Sequence, residues 1–181
     1  MRYFIPGSSA RQEIFSRDVE AGTAASTSPR EKLPRQEHAM DEQAIREVIE
    51  GHAAALGTGQ VKDILRYYAD DAVQFTLAPP LRQPASAQDP EPLEHWLATF
   101  EQPPTLEVTA LEITAGPEVA FASSLHCMRG IPKGQSEAFD LWHRVTHGLR
   151  KIEGTWLITH EHQSVPFEMD GSFRASLDLK P

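Results

Sequence analysis

His143, His147, His160, His162 and Glu161 all fall within DLWHRVTHGLRKIEGTWLITHEHQSVPF, residues 140–167. Imidazole beside carboxylate is a pairing that moves protons near neutral pH. The carboxylate fixes the imidazole tautomer, and the imidazole supplies the donor that a carboxylate needs in apolar surroundings. Two more histidines extend the set: His126 in the strand-like run VAFASSLHCM, and His52 on an otherwise apolar helix face. His160 and His162 form an H-x-H pair on one strand face, a spacing that can also bind metal. The chain has no HExxH, no CxxC and no glycine-rich phosphate loop in a strand-to-helix setting. Neither a metal nor another cofactor is expected.

Whether these groups meet depends on a hairpin. A three-residue loop, Ile152-Glu153-Gly154, suits a type I turn closed by a left-handed glycine. The competing two-residue loop, Glu153-Gly154, needs a positive φ at Glu153, which is uncommon away from glycine. On the three-residue loop His147 lies opposite Thr159, Val145 opposite Glu161 and His143 opposite Gln163, all on one face. The other face pairs Trp142 with Ser164, Arg144 with His162, Thr146 with His160 and Arg150 with Trp156. A slip of one residue would exchange these sets relative to each other. The candidate catalytic residues are therefore His147, Glu161 and His52, with His126, His143, Gln163 and Thr159 as polar lining. Trp142, Trp156 and Ile158 share the opposite face with His160 and His162, which points to a subunit interface there rather than a metal site.

The elements that position them are legible from periodicity. From Met40, the residues Ile45, Val48, Ile49, His52 and Leu56 keep the 3.6-residue spacing of an amphipathic helix ending near Gly57-Thr58-Gly59. A second helix is predicted to turn Val61, Ile64, Leu65 and Tyr68 inward. Val73, Phe75 and Leu77 then alternate as a strand, and the proline-rich run APPLRQPASAQDPEP is irregular. A short helix follows with Leu93, Trp96, Leu97 and Phe100 inward. Phe75 and Trp96 are apolar candidates for the lining of a ligand pocket. From Thr105 the period becomes two through four successive runs, an antiparallel meander, and the apolar parity flips between Ala110 and Leu111 as a β-bulge would make it. Helices first and a long sheet after them predict an α+β layered domain.

Composition bounds the rest. A chain of 181 residues with 40% hydrophobic content suggests one domain. Residues 1–39 read as a disordered or loosely attached arm, 40–166 as the domain and 167–181 as a tail. The formal charge is −9, and residues 40–181 alone carry −10, which should repel nucleic acid and anionic membrane surfaces. No apolar run approaches the roughly 20 residues of a membrane span. With no secretory signal either, a cytoplasmic protein is expected, and the single cysteine, Cys127, reads as a small buried thiol.

The order of these pieces resembles the nuclear transport factor 2-like superfamily, within it the SnoaL-like and ketosteroid-isomerase-like group. The resemblance spans about Asp41 to Pro166 and rests on YYADDAV, FTLAPPL and WLITHEHQSVP. It implies a cone-shaped, curved antiparallel sheet wrapped around N-terminal helices, with an internal pocket and a homodimer formed through the outer sheet face. Ketosteroid isomerases carry a tyrosine donor, a carboxylate base and a protonated aspartic acid; the matching positions here hold His52, Thr76 or Phe75, and His147. All three identities differ, so steroid isomerisation by that mechanism is not expected. The similar association domain of calmodulin-dependent kinases lines its pocket with arginines, matched here by His126, His147 and Gln163. Two functions follow as expectations, each with a small apolar or amphipathic molecule in the pocket. One is a cofactor-independent isomerase, cyclase or hydratase using His147 and Glu161 as a proton-transfer pair and His52 as donor to an oxyanion. The other is a ligand-binding or association module without turnover.

Overall fold

The computed structural model describes the backbone of residues 29–83 and 86–181, and the side chains among them from residue 37 onward. Most of the N-terminal arm, Tyr3, Phe4 and Ile5 included, lies outside the described residues. Helix α1 runs Pro29–Thr58, beginning eleven residues before the expected start at Met40. Its first turns are PREKLPRQEHA, where proline is tolerated at the opening position and Glu, Lys, Leu, Arg and Gln are strong helix formers. Residues 29–39 are thus helix, and only the part of the arm before them is left as an irregular segment by the sequence reading. Ile45, Ile49, Ala53 and Leu56 form the buried stripe of α1. The helix stops where Gly59 adopts φ 68° and its N–H bonds the Leu56 carbonyl, a turn that glycine makes without strain.

Helix α2, Val61–Leu65, is shorter than periodicity suggested. Tyr68 does not extend it; it opens strand β1, Tyr68–Phe75, and turns inward from there. Helix α3, Glu91–Leu97, and strands β2, Thr105–Ala115, β3, Val119–Gly130, β4, Phe139–Ile152, and β5, Thr155–Ser164, complete the domain. The sheet order is β1-β5-β4-β3-β2. The last four strands form the predicted antiparallel meander, whereas β1 pairs parallel with β5, so the sheet is mixed rather than wholly antiparallel. The long connection through α3 crosses from one sheet edge to the other, which leaves β1 beside the last strand running the same way. In β2 the register shifts between Thr109 and Glu112, with Ala110 at φ 48°, so the bulge stands where the parity flips.

The hairpin corrects the sequence reading in an instructive way. The turn is the two-residue one: Ile152 pairs Thr155, with Glu153 at φ 49° and Gly154 at φ 81°, the two positive values of a type I′ turn. Next to the turn, Lys151 therefore pairs Trp156 and Leu149 pairs Ile158. Trp156 and Ile158 accordingly face the helices, not the outer side. Trp156 is 3% exposed, packs with Ile45, Ile49 and Leu149, and donates its indole N–H to Asp41 Oδ1 at 2.9 Å. Burying about 200 Å² at roughly 25 cal/mol per Å² makes this ring worth on the order of 5 kcal/mol to the core. Beyond Ile158 the register slips once more at Thr159, and Gly148 pairs His160, His147 pairs Glu161 and Val145 pairs Gln163. This bulge restores for the far half of the strand the inward parity that the turn had inverted.

Candidate functional site

The centre of the site is Glu161, held on β5 directly opposite His147 on β4. His147 Nε2 lies 3.1 Å from Glu161 Oε2, and the Tyr68 hydroxyl donates to the same oxygen at 2.7 Å. Gln163 Nε2 donates to the other oxygen at 2.8 Å. Behind Tyr68, His52 Nε2 lies 3.1 Å from the phenol oxygen, and the two rings meet edge to face. The chain His52, Tyr68, Glu161, His147 thus joins α1, β1, β5 and β4 through one buried carboxylate. Beside it, on β3, His126 lies 3.0 Å by its Nε2 from Ser124 Oγ, with ring centres 5.7 Å from His143 and 5.9 Å from His147. His143 Nδ1 lies 3.3 Å from the Leu141 carbonyl.

Burial is nearly total: His147 is 0% exposed, His126 2%, Glu161 3%, His143 4% and His52 8%. Desolvation alone would push the Glu161 carboxyl upward, but the His147 hydrogen bond, the His147 and His52 imidazoles and the Tyr68 hydroxyl together hold it down to about 2. Burial dominates the neutral partners. It lowers His52 to about 4, with Glu161 opposing, and His126 to about 3. Burial also lowers His143 and, with the Glu161 charge, raises the Tyr68 phenol well above its ordinary value. The arrangement keeps a buried carboxylate ionised at the centre of the group. Two atoms in it stand apart, since Nδ1 of His52 and Nδ1 of His147 are buried with no hydrogen-bond partner among the described residues.

His147, Glu161, His52, His126, His143 and Gln163 are therefore brought together. Three residues read as lining are placed elsewhere. Thr159 is the extra residue of the β5 bulge, its hydroxyl bonded to the Gly148 carbonyl at 3.3 Å, and Glu161 has the place opposite His147. Phe75 pairs His162 in register and packs edge-on against His160 and His162, the alternate set to Glu161. Gln74, one residue earlier, pairs Glu161 and acts on the Tyr68 hydroxyl. Trp96 packs against Phe100 and an apolar cluster around Leu56 and Ile64. Tyr68 is the member of this buried group that periodicity passed over. It reads as one more aromatic on an inward face, although a buried phenol must find a partner for its O–H, and that requirement marks it out. Among the described residues no group of three His, Cys, Asp or Glu side chains is arranged to hold a metal ion. No described helix is long and apolar enough to cross a membrane.

Comparison with known proteins agrees with the fold. Residues 45–168 match the family model described as the SnoaL-like domain. Curated proteins gave no match. A nuclear transport factor 2-like protein of unknown function from Pseudomonas putida KT2440 is similar at 29% identity and TM-score 0.68, over 79% of this chain and 98% of that one. A candidate scytalone dehydratase from Novosphingobium aromaticivorans shares the fold at 13% identity and TM-score 0.64, over 79% and 95%. A candidate calcium/calmodulin dependent protein kinase II association domain from Xanthomonas campestris does so at 21% and 0.58, over 66% and 84%.

Proposed function

We propose that this chain, which belongs to the SnoaL-like domain family, binds a small apolar or amphipathic molecule inside the cone and moves a proton on it without a cofactor, as an isomerase, cyclase or hydratase does. The observation that carries the reading is the His147–Glu161 pair, whose far nitrogen, Nδ1 of His147, is buried without a hydrogen-bond partner among the described residues. His147 is the base. A substrate X–H bond would break toward Nδ1 of His147, leaving its electron pair on the substrate, and Glu161 would stabilise the imidazolium so formed. Glu161 itself is a positioning residue, since it already accepts hydrogen bonds from Tyr68, Gln163 and His147 and gains little by taking a proton. The similar fold of a candidate scytalone dehydratase is compatible with such chemistry. A second copy of the chain against the outer sheet face, where Trp142 stands, belongs to the same reading.

The near-complete burial of the group favours a second reading, a binding or association module without turnover. One experiment separates them. Native mass spectrometry of the purified full chain identifies the molecule that it retains, and that molecule is then incubated with the protein in D2O. Incorporation of deuterium at carbon by the wild type, lost in His147→Gln, supports catalysis. A retained molecule that emerges without deuterium or rearrangement leaves the binding module.

A further inference from the structure

We infer that the site selects a small neutral molecule presenting a hydroxyl or N–H donor, and turns away carboxylates and phosphates. The inference deepens the reading above and rests on it for the location of the ligand. It follows from counting protons along the buried chain. Tyr68 has one O–H, and at 2.7 Å from Glu161 Oε2 it is committed to the carboxylate, which can only accept. His52 Nε2, 3.1 Å from that same phenol oxygen, must then be the donor, so its ring carries the proton on Nε2 and a lone pair on Nδ1. His147 Nε2 faces the carboxylate and is likewise N–H, which in the neutral ring leaves Nδ1 as a lone pair. Gln163 donates to the remaining oxygen of Glu161. His143 Nδ1 faces the Leu141 carbonyl and carries its proton there, so its Nε2 is a further acceptor.

The donors of Tyr68, His147 and Gln163 are thus turned to Glu161, that of His52 to Tyr68 and that of His143 to Leu141, and what the rings of His52, His143 and His147 offer a newcomer is acceptors. The unpartnered Nδ1 atoms of His52 and His147 are the most exacting of these, because a buried polar atom without a partner costs free energy that an incoming donor would recover. An anion would instead meet two imidazole lone pairs, with a carboxylate oxygen 3.1 Å from the far nitrogen of one ring. The expected role of His52 as donor to an oxyanion falls on the same ground, since its one N–H is taken by Tyr68.

The test uses the full chain labelled with 15N-histidine, observed by long-range 1H–15N correlation at pH 7 and assigned by single His→Gln replacements. His52 and His147 are expected as Nε2–H tautomers and His143 as Nδ1–H. Two probes of the same ring size, benzyl alcohol and sodium benzoate, are then titrated. The alcohol is expected to shift the Nδ1 resonance of His52 or His147 saturably, and benzoate to leave both unmoved at a tenfold higher concentration. A proton on Nδ1 of either ring, benzoate binding as well as the alcohol, or no response to either probe overturns the inference. The D2O experiment decides separately whether the site is catalytic.

Discussion

The hydroxyl of Tyr68 and the carboxylate of Glu161, 93 residues apart in sequence, meet at 2.7 Å in the interior of the sheet. Removing the hydroxyl leaves a buried carboxylate short of one donor and His52 Nε2 without an acceptor. Tyr68→Phe is expected to lower stability by about 1–3 kcal/mol, read from urea unfolding. A loss below about 0.5 kcal/mol would show that the bond does not hold the carboxylate in place.

Acid should unfold the protein earlier than its carboxylates alone predict. His52 and His126 have folded values depressed from 6.5 to about 4 and about 3, so their contribution is present above pH 6.5 and drains away as pH falls toward those values. Glu161, depressed from 4.5 to about 2, contributes above 4.5 and loses its share between 4.5 and 2. Stability measured by urea midpoint should thus begin to fall just below pH 6.5, with a slope that His52 and His126 bring toward about two protons and that His143, also lowered by burial, increases. His126→Asn should remove part of that slope. A midpoint flat from pH 7 to 4.5 contradicts the burial of neutral imidazoles.

The hairpin turn offers a stabilising change. Glu153 sits at φ 49° ahead of Gly154, and asparagine tolerates that region better than glutamate. Glu153→Asn is expected to raise stability by about 0.5–1 kcal/mol without altering the far-strand chemistry. A neutral or destabilising outcome would contradict the two-residue turn.

The two hairpin tryptophans should behave differently. Trp156 lies in the core with its N–H on Asp41, so Trp156→Ala is expected to cost about 3–5 kcal/mol and leave the state of association unchanged. Trp142→Glu, on the outer face, is expected to shift sedimentation toward monomer at little cost to the fold. If Trp142→Glu sediments as the wild type does, the proposed dimer face is elsewhere.

Helix stripes, the β2 bulge and the meander were legible because each is written in local periodicity: Ile45, Ile49 and Leu56 at helical spacing, the parity flip at Ala110. The pairing of His147 with Glu161 was not fully legible. Choosing the loop that spares Glu153 a positive φ misplaced Trp156 and Ile158, yet kept His147 and Glu161 on one face, because the unforeseen bulge at Thr159 compensated for the turn. Tyr68 escaped because an inward aromatic looks the same on a helix or a strand until its partner, remote in sequence, is known. The parallel pairing of β1 escaped for a related reason, since strand direction depends on the path of the long connection rather than on alternation.

The bulge at Thr159 makes the identity of the site a matter of pairing register. Were Thr159 instead kept in the ladder opposite Gly148, the pairing leaving the turn would run on unbroken, and His160 would stand opposite His147, with His162 opposite Val145. Glu161 and Gln163 would rotate to the outer face, and the interior would hold imidazoles with no carboxylate among them. In this sheet the point at which the ladder leaves one residue unpaired, a residue that takes no part in the chemistry, decides which of two sets of reactive groups faces inward. Relatives that differ by one residue here should be compared by register before they are compared by residue.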